Sequence, residues 1–170
     1  MDKPPPFTIV IDTREQQPFA FTGLSTVRKT LKTGDYSIEG LEHRVAVERK
    51  NKQDAWGCMA DSRARFERCC ERLAALDRAL IVIECSLIDF CDRPAQIQKV
   101  TIASAVGGYI SAMVRHQIPV VWAGNRTYAE RLTARFLASY FKHRATVINP
   151  DVAFAPTSTN SQENPDEQTT

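Results

Sequence analysis

"VAVERKNKQD", residues 45–54, is the stretch on which the reading of this chain turns. Val45, Ala46 and Val47 open it as an apolar strand, and Glu48, Arg49, Lys50, Lys52 and Asp54 then crowd into seven positions. Side chains two apart on a strand share a face. Glu48 and Lys50 therefore point one way and Arg49 the other. A carboxylate and an ammonium on one face of a strand end can hold a cation beside a phosphate. Alone, the pattern is weak. A solvated strand end with an incidental salt bridge, worth about 0–1 kcal/mol, accounts for it at least as well.

Just upstream, "KTGDYSIEGLEHRVAVERK", residues 32–50, reads as two strands, 35–39 and 44–50, joined by a turn near Gly40. If the two strands pair, Asp35 comes near Glu48. Two acids and a lysine converging at a sheet edge fit metal-assisted phosphodiester hydrolysis. Carboxylate oxygens suit magnesium, with manganese as a substitute. Such an ion polarises a phosphoryl oxygen and lowers the pKa of bound water.

Further outward, "FTIVID" (7–12), "STVRKTL" (25–31), "RALIVIE" (78–84) and "PVVWAG" (119–124) are read as strands. Phe66, Cys69, Cys70, Leu73 and Leu76 form a helical stripe. Residues 94–117 read as one long helix, with Ile97, Val100, Ala103, Val106, Ile110, Met113 and Val114 facing inward. Gly107–Gly108 marks a bend or a close approach there. Residues 126–142 read as a last helix. Strands followed by alternating helices and strands imply an α/β fold, a mixed sheet with helices on both faces. Residues 1–6, with "PPP", read as an extended lead-in, 7–148 as the folded domain, and 149–170 as a disordered polar and acidic tail.

The 170 residues bound one domain with a real core. No apolar run is long enough for a bilayer span, and the N-terminus lacks a secretory layout, so a cytoplasmic location is expected. The five cysteines are odd in number and lack paired spacing, which argues against disulfides and structural zinc. His43, His116 and His143 are scattered. The first 150 residues hold 22 basic and 16 acidic groups, a surplus that suits a polyanion partner.

The longer string is more specific. "GDY" (34–36), "VERK" (47–50) with Asp54 beyond it, "IDTRE" (11–15), "DSRARFERCCERL" (61–73) and "ALIVIE" (79–84) together resemble the motifs of the XPF-type structure-specific nucleases. That family has a restriction-endonuclease-like core. The resemblance spans about residues 7–142. It implies Asp35 and Glu48 as metal-binding acids, Lys50 as the catalytic lysine, and Asp12 and Asp54 as further essential acids near the metal, Asp12 also as a metal residue. Arg14, Glu15 and Arg49 match supporting or DNA-contacting positions. Arg63 or Arg65 fills the basic position of the following helix. The implied activity is magnesium-dependent cleavage of branched DNA at flaps, forks or other junctions, in repair or recombination. Many relatives add a helix-hairpin-helix module. Residues 143–170 are too few and too polar for one, so a stand-alone domain of prokaryotic or phage type is expected. Its DNA grip would come from the basic body, a second copy or a partner protein. A Holliday-junction or restriction-type nuclease of the same core, and a non-catalytic DNA- or partner-binding subunit, are the rival readings.

Overall fold

The computed structural model describes residues 6–147, with side chains to residue 144. Residues 1–5 of the lead-in, residue 148 of the expected domain and the whole tail, 149–170, lie outside the described residues. Six strands form one sheet: β1 (Ile9–Asp12), β2 (Thr26–Lys29), β3 (Tyr36–Ile38), β4 (Val45–Lys50), β5 (Arg78–Ile83) and β6 (Val120–Trp122). Their order is β2-β1-β3-β4-β5-β6. Only β3 pairs antiparallel with its neighbours. The other five strands run in one direction, so their carboxyl ends share one edge. Ligands of open α/β sheets are bound outside that edge.

The helices are α1 (Lys52–Met59), α2 (Arg63–Ala74), α3 (Leu87–Cys91), α4 (Ile102–His116) and α5 (Arg126–Val147). Two cores sandwich the sheet. Ala46, Ile81 and Ile83 point toward α1, α2 and α4, packing with Trp56, Phe66, Leu73 and Tyr109. Val45, Val47, Leu80 and Val82 point the other way, against Ala129, Leu137 and Tyr140 of α5 and the loop residues Phe19 and Phe21. The alternation along β4 and β5 thus feeds both layers, as period-two strands buried on each face must. This is the expected mixed α/β sheet with helices on both faces.

Three helical features depart from the sequence expectation. The reading missed α1, because Lys52–Met59 has no strong apolar stripe. Its signal was the cap: Asn51 Oδ1 accepts from Asp54 N at 2.8 Å. The reading also missed α3, whose Ser86 and Asp89 form a reciprocal capping box. The long helix begins at Ile102, not residue 94, where the Thr101 hydroxyl accepts from Ser104 N at 3.1 Å. Its buried face is Ala105, Gly108, Tyr109 and Ala112. Ala103, Ile110, Met113 and Val114 are exposed, which corrects their inward assignment. The larger aliphatic residues face out because α4 packs closely through Ala105, Gly108 and Ala112 beside Tyr109. A Cβ on Gly108 would lie 2.4 Å from Met59 Sδ, so the helices meet there, whereas Gly107 is open.

Candidate active site

Strand direction gathers the charged residues. β1 ends in Asp12, β4 ends in Glu48–Arg49–Lys50, and Asp35 stands just before the antiparallel β3. All three chain segments therefore meet at one edge. Asp35 is held between them: its N–H donates to Val47 O at 2.8 Å, and its carbonyl accepts from Asp12 N at 2.9 Å. Asp35 Oδ2 accepts from Arg49 N at 2.7 Å. That bond sets its carboxylate against the backbone of the residue after Glu48. Lys50 Nζ donates to Glu48 Oε1, so the two share a face as their spacing requires. Asp35, Glu48 and Lys50 line a cavity of about 780 Å³.

The electrostatics of this trio are unbalanced. Burial pushes the Asp35 carboxyl up to about 7, and the neighbouring charge of Glu48 adds to the rise. The N–H of Arg49 and the charge of Lys50 offset it only partly. Burial works against the Lys50 ammonium, yet Glu48 and Asp35 raise its pKa above the ordinary lysine value. Among the described residues, no hydrogen bond reaches Asp35 Oδ1 or Glu48 Oε2. Two carboxylate oxygens with one ammonium between them are a donor set that a hard divalent cation would neutralise.

Asp12 and Asp54 are occupied differently. Asp12 Oδ1 accepts from Arg14 N (2.7 Å) and Nε (2.9 Å), while Oδ2 accepts from Arg14 Nη2 (2.7 Å) and Leu31 N (2.9 Å). Burial would raise the Asp12 pKa, but these bonds more than reverse it. Among the described residues, no three His, Cys, Asp or Glu side chains form a ready metal cage. Asp54 lines the cavity from α1, where its Oδ2 accepts from Asn51 Nδ2 at 2.7 Å.

Arg49 points away from Glu48 and Lys50, as alternation demands. Its guanidinium makes a paired contact to Glu84, Nε to Oε1 at 2.8 Å and Nη2 to Oε2 at 2.9 Å, and Nη1 reaches Glu15 Oε1 at 3.2 Å. These three side chains are all at most 10% exposed. Arg126 at the start of α5 closes the network on Glu84 Oε1 at 2.7 Å. It also donates to the carbonyls of Gln17 and Pro18, and lies 5.0 Å from the Phe19 ring centroid. The sequence reading missed Glu84 and Arg126. Glu84 had a signal, a lone acid ending an apolar strand, while Arg126 is brought in only by the tertiary fold.

The two arginines of α2 stand in different places. Arg65 lines the cavity, whereas Arg63 turns to Met59 Sδ at 3.9 Å. Arg72, two turns from Arg65, lines it too, as do Lys32 and Thr33 of the loop before Asp35; the sequence reading had singled out none of these three.

Residues 11–138 match the ERCC4 domain family, and the chain belongs to it. Among solved structures it is similar to XPF from Aeropyrum pernix, at TM-score 0.64 and 17% identity, covering 82% of this chain and 68% of that one. A structure of XPF from Aeropyrum pernix in complex with DNA is similar at TM-score 0.62 and 19% identity, covering 81% and 66%. The chain thus spans about two thirds of those chains and shares their restriction-endonuclease-like fold. No curated protein sequence matches it. No helix among the described residues is long and apolar enough to cross a membrane.

Proposed function

We propose that this protein is a divalent-metal-dependent DNA endonuclease that hydrolyses phosphodiester bonds at branched DNA. The observation that carries the reading is the meeting of Asp35, Glu48 and Lys50 at the carboxyl edge of the sheet. Membership of the ERCC4 domain family and the fold shared with a DNA-bound XPF support it.

Asp35 and Glu48 would hold a magnesium ion, with manganese able to replace it. When bound, such an ion polarises a phosphoryl oxygen and makes a water molecule a better nucleophile. Lys50 keeps its proton and offers a fixed positive charge to the phosphate as negative charge develops on it. Glu48 aims that ammonium. Asp12 acts through Arg14, orienting the guanidinium at the rim, and Asp54 acts from the start of α1 through water. Arg65 contacts the DNA backbone. Glu15 and Arg49 hold β4 in place.

The test is cleavage of labelled flap, fork, four-way and plain duplex DNA by wild type, Asp35→Ala and Lys50→Ala, with magnesium, manganese or EDTA. Metal-dependent cutting of branched DNA, lost in both variants, is the expected result. Preferential cutting of four-way junctions, or of plain duplex, would move the substrate to the rival nucleases of the same core. DNA binding without cleavage in either metal would make the chain a non-catalytic subunit.

A further inference from the structure

Away from the cleft, α5 lies across β3, β4 and β5 on the sheet face opposite α1, α2 and α4. Its outer side carries Arg131, Arg135 and Lys142, all exposed. At 3.6 residues per turn the three fall within a strip about 40° wide, spaced about 6 and 11 Å along the axis. Among the described residues none of them forms a hydrogen bond or ion pair, and Arg131 lies 5.7 Å from the exposed Tyr128 ring. Glu130, the one acid of α5, is turned to the neighbouring loop, where its Oε1 accepts from Phe21 N at 2.7 Å. The other long helices present no such face: α2 sets Glu67 and Glu71 among its arginines, and the outer side of α4 is aliphatic. The strip also begins at the candidate site. Arg126, the first residue of α5, donates to the carbonyls of Gln17 and Pro18, and Gln17 lines the cavity. Further along, Tyr140 Oη donates to Asp77 Oδ2 at 2.9 Å, just before β5. The helix therefore runs from the carboxyl edge of the sheet to the opposite edge.

We infer that this strip is a second DNA-contact surface, outside the cleft, which grips the backbone of a duplex arm leading away from the scissile phosphate. Arg131 to Lys142 covers roughly 17 Å, the length of about five base pairs. Duplex DNA carries one negative charge per about 1.7 Å of its axis, and each phosphate that a cation neutralises releases counterions. Three aligned cations without an acid between them suit such a polymer. They do not suit a second copy of this chain, because a two-fold contact through the strip would set the same cations against each other. The polymer must also leave the site over some surface, and the strip starts at the cavity rim. The inference rests on the nuclease reading for the identity of the polymer, yet it can fail separately.

The experiment measures binding of the full chain to a labelled plain duplex over a range of salt, with calcium replacing magnesium. Arg131→Gln, Arg135→Gln and Lys142→Gln together should reduce the slope of log affinity against log salt by about 2.7. The melting midpoint should stay at the wild-type value, since the three side chains are exposed. Arg131→Lys with Arg135→Lys keeps the charge and should keep the slope. In cleavage of branched DNA the triple variant should raise KM about 10-fold or more with kcat unchanged, which separates this surface from the trio. A photo-crosslinking amino acid at position 139, exposed on the same side of α5, should capture the duplex, and the same probe at the exposed position 103 of α4 should not. A slope equal to wild type in the triple variant, or equal capture at both positions, would overturn the strip even where wild type cleaves DNA. Loss of binding to anionic phospholipid vesicles with duplex affinity kept would overturn it too, in favour of a membrane surface. Failure of the nuclease reading shows elsewhere, as no cleavage by wild type in magnesium or manganese while duplex binding still depends on the strip.

Discussion

Glu48 and Arg49 leave adjacent residues of β4 and enter opposite electrostatic settings. On the Arg49 side every charge is answered: Glu15, Glu84 and Arg126 close a network with hydrogen bonds of 2.7 to 3.2 Å. On the Glu48 side two acids share one lysine, and Asp35 is held far above its ordinary pKa. Buried charges are tolerated when paired and costly when not. One face of the strand end therefore maintains the fold, and the other keeps an unmet demand for positive charge. That difference separates a supporting site from a reacting one more clearly than sequence position does, since the two side chains are neighbours.

Substitutions should break the two faces differently. The largest effect is expected at Lys50. Lys50→Ala should lower the cleavage rate by roughly 100- to 1,000-fold, the scale seen when one stabilising donor is removed from an active site, and lower the thermal midpoint as well, because the buried Glu48 loses its cation. Single-turnover cleavage and a melting curve check both halves. Arg49→Met should strike the fold while leaving Asp35, Glu48 and Lys50 in place. It leaves Glu15 without its cation and Glu84 with only Arg126, and breaking a buried pair costs about 3–5 kcal/mol. A fall in the urea midpoint reads this. A midpoint unchanged from wild type would show that the network adds nothing.

Asp35→Asn sharpens the comparison through pH. With its folded pKa near 7 against an unfolded value near 3.8, native Asp35 retains a proton that the unfolded chain releases. Wild-type stability therefore falls as pH rises from about 4 to 7, by at most about 1.4 kcal/mol per pH unit. Asp35→Asn lacks that loss. It should gain on wild type through this window, hold its advantage above pH 7 and be inactive. Magnesium should raise the melting temperature of wild type at pH 8 and not that of the variant. The smallest effect is expected for Arg126→Gln, about 1 kcal/mol, because Glu84 keeps Arg49.

What could be read in advance follows the same division. The six strands and the trio Asp35, Glu48 and Lys50 were legible, because a strand of period two fixes which neighbours share a face. So was the outward turn of Arg49. Its destination was not, since Glu84 and Arg126 lie 35 and 77 positions further along the chain. The short helices were written in caps, Asn51 and Ser86, and not in apolar stripes. The start of α4 was misplaced because Ile97 and Val100 continue its apolar spacing across a segment that Thr101 cuts off. The tidy aliphatic stripe of that helix faces out, since its close packing runs through glycine and alanine beside Tyr109.

Gly34 deserves a last consequence. Its φ is +76°, and an added Cβ would sit 2.7 Å from Ala46 Cβ and 3.2 Å from Val47 O. The chain before Asp35 thus lies against β4 with no room for one methyl group. The separation of the two acidic groups is gauged by this bare backbone contact. Any side chain at position 34 would act as a shim, prising Asp35 from Glu48 while every reacting residue stayed in the sequence. A chain altered there would still carry both acids and the lysine and yet have lost the spacing that gives them meaning.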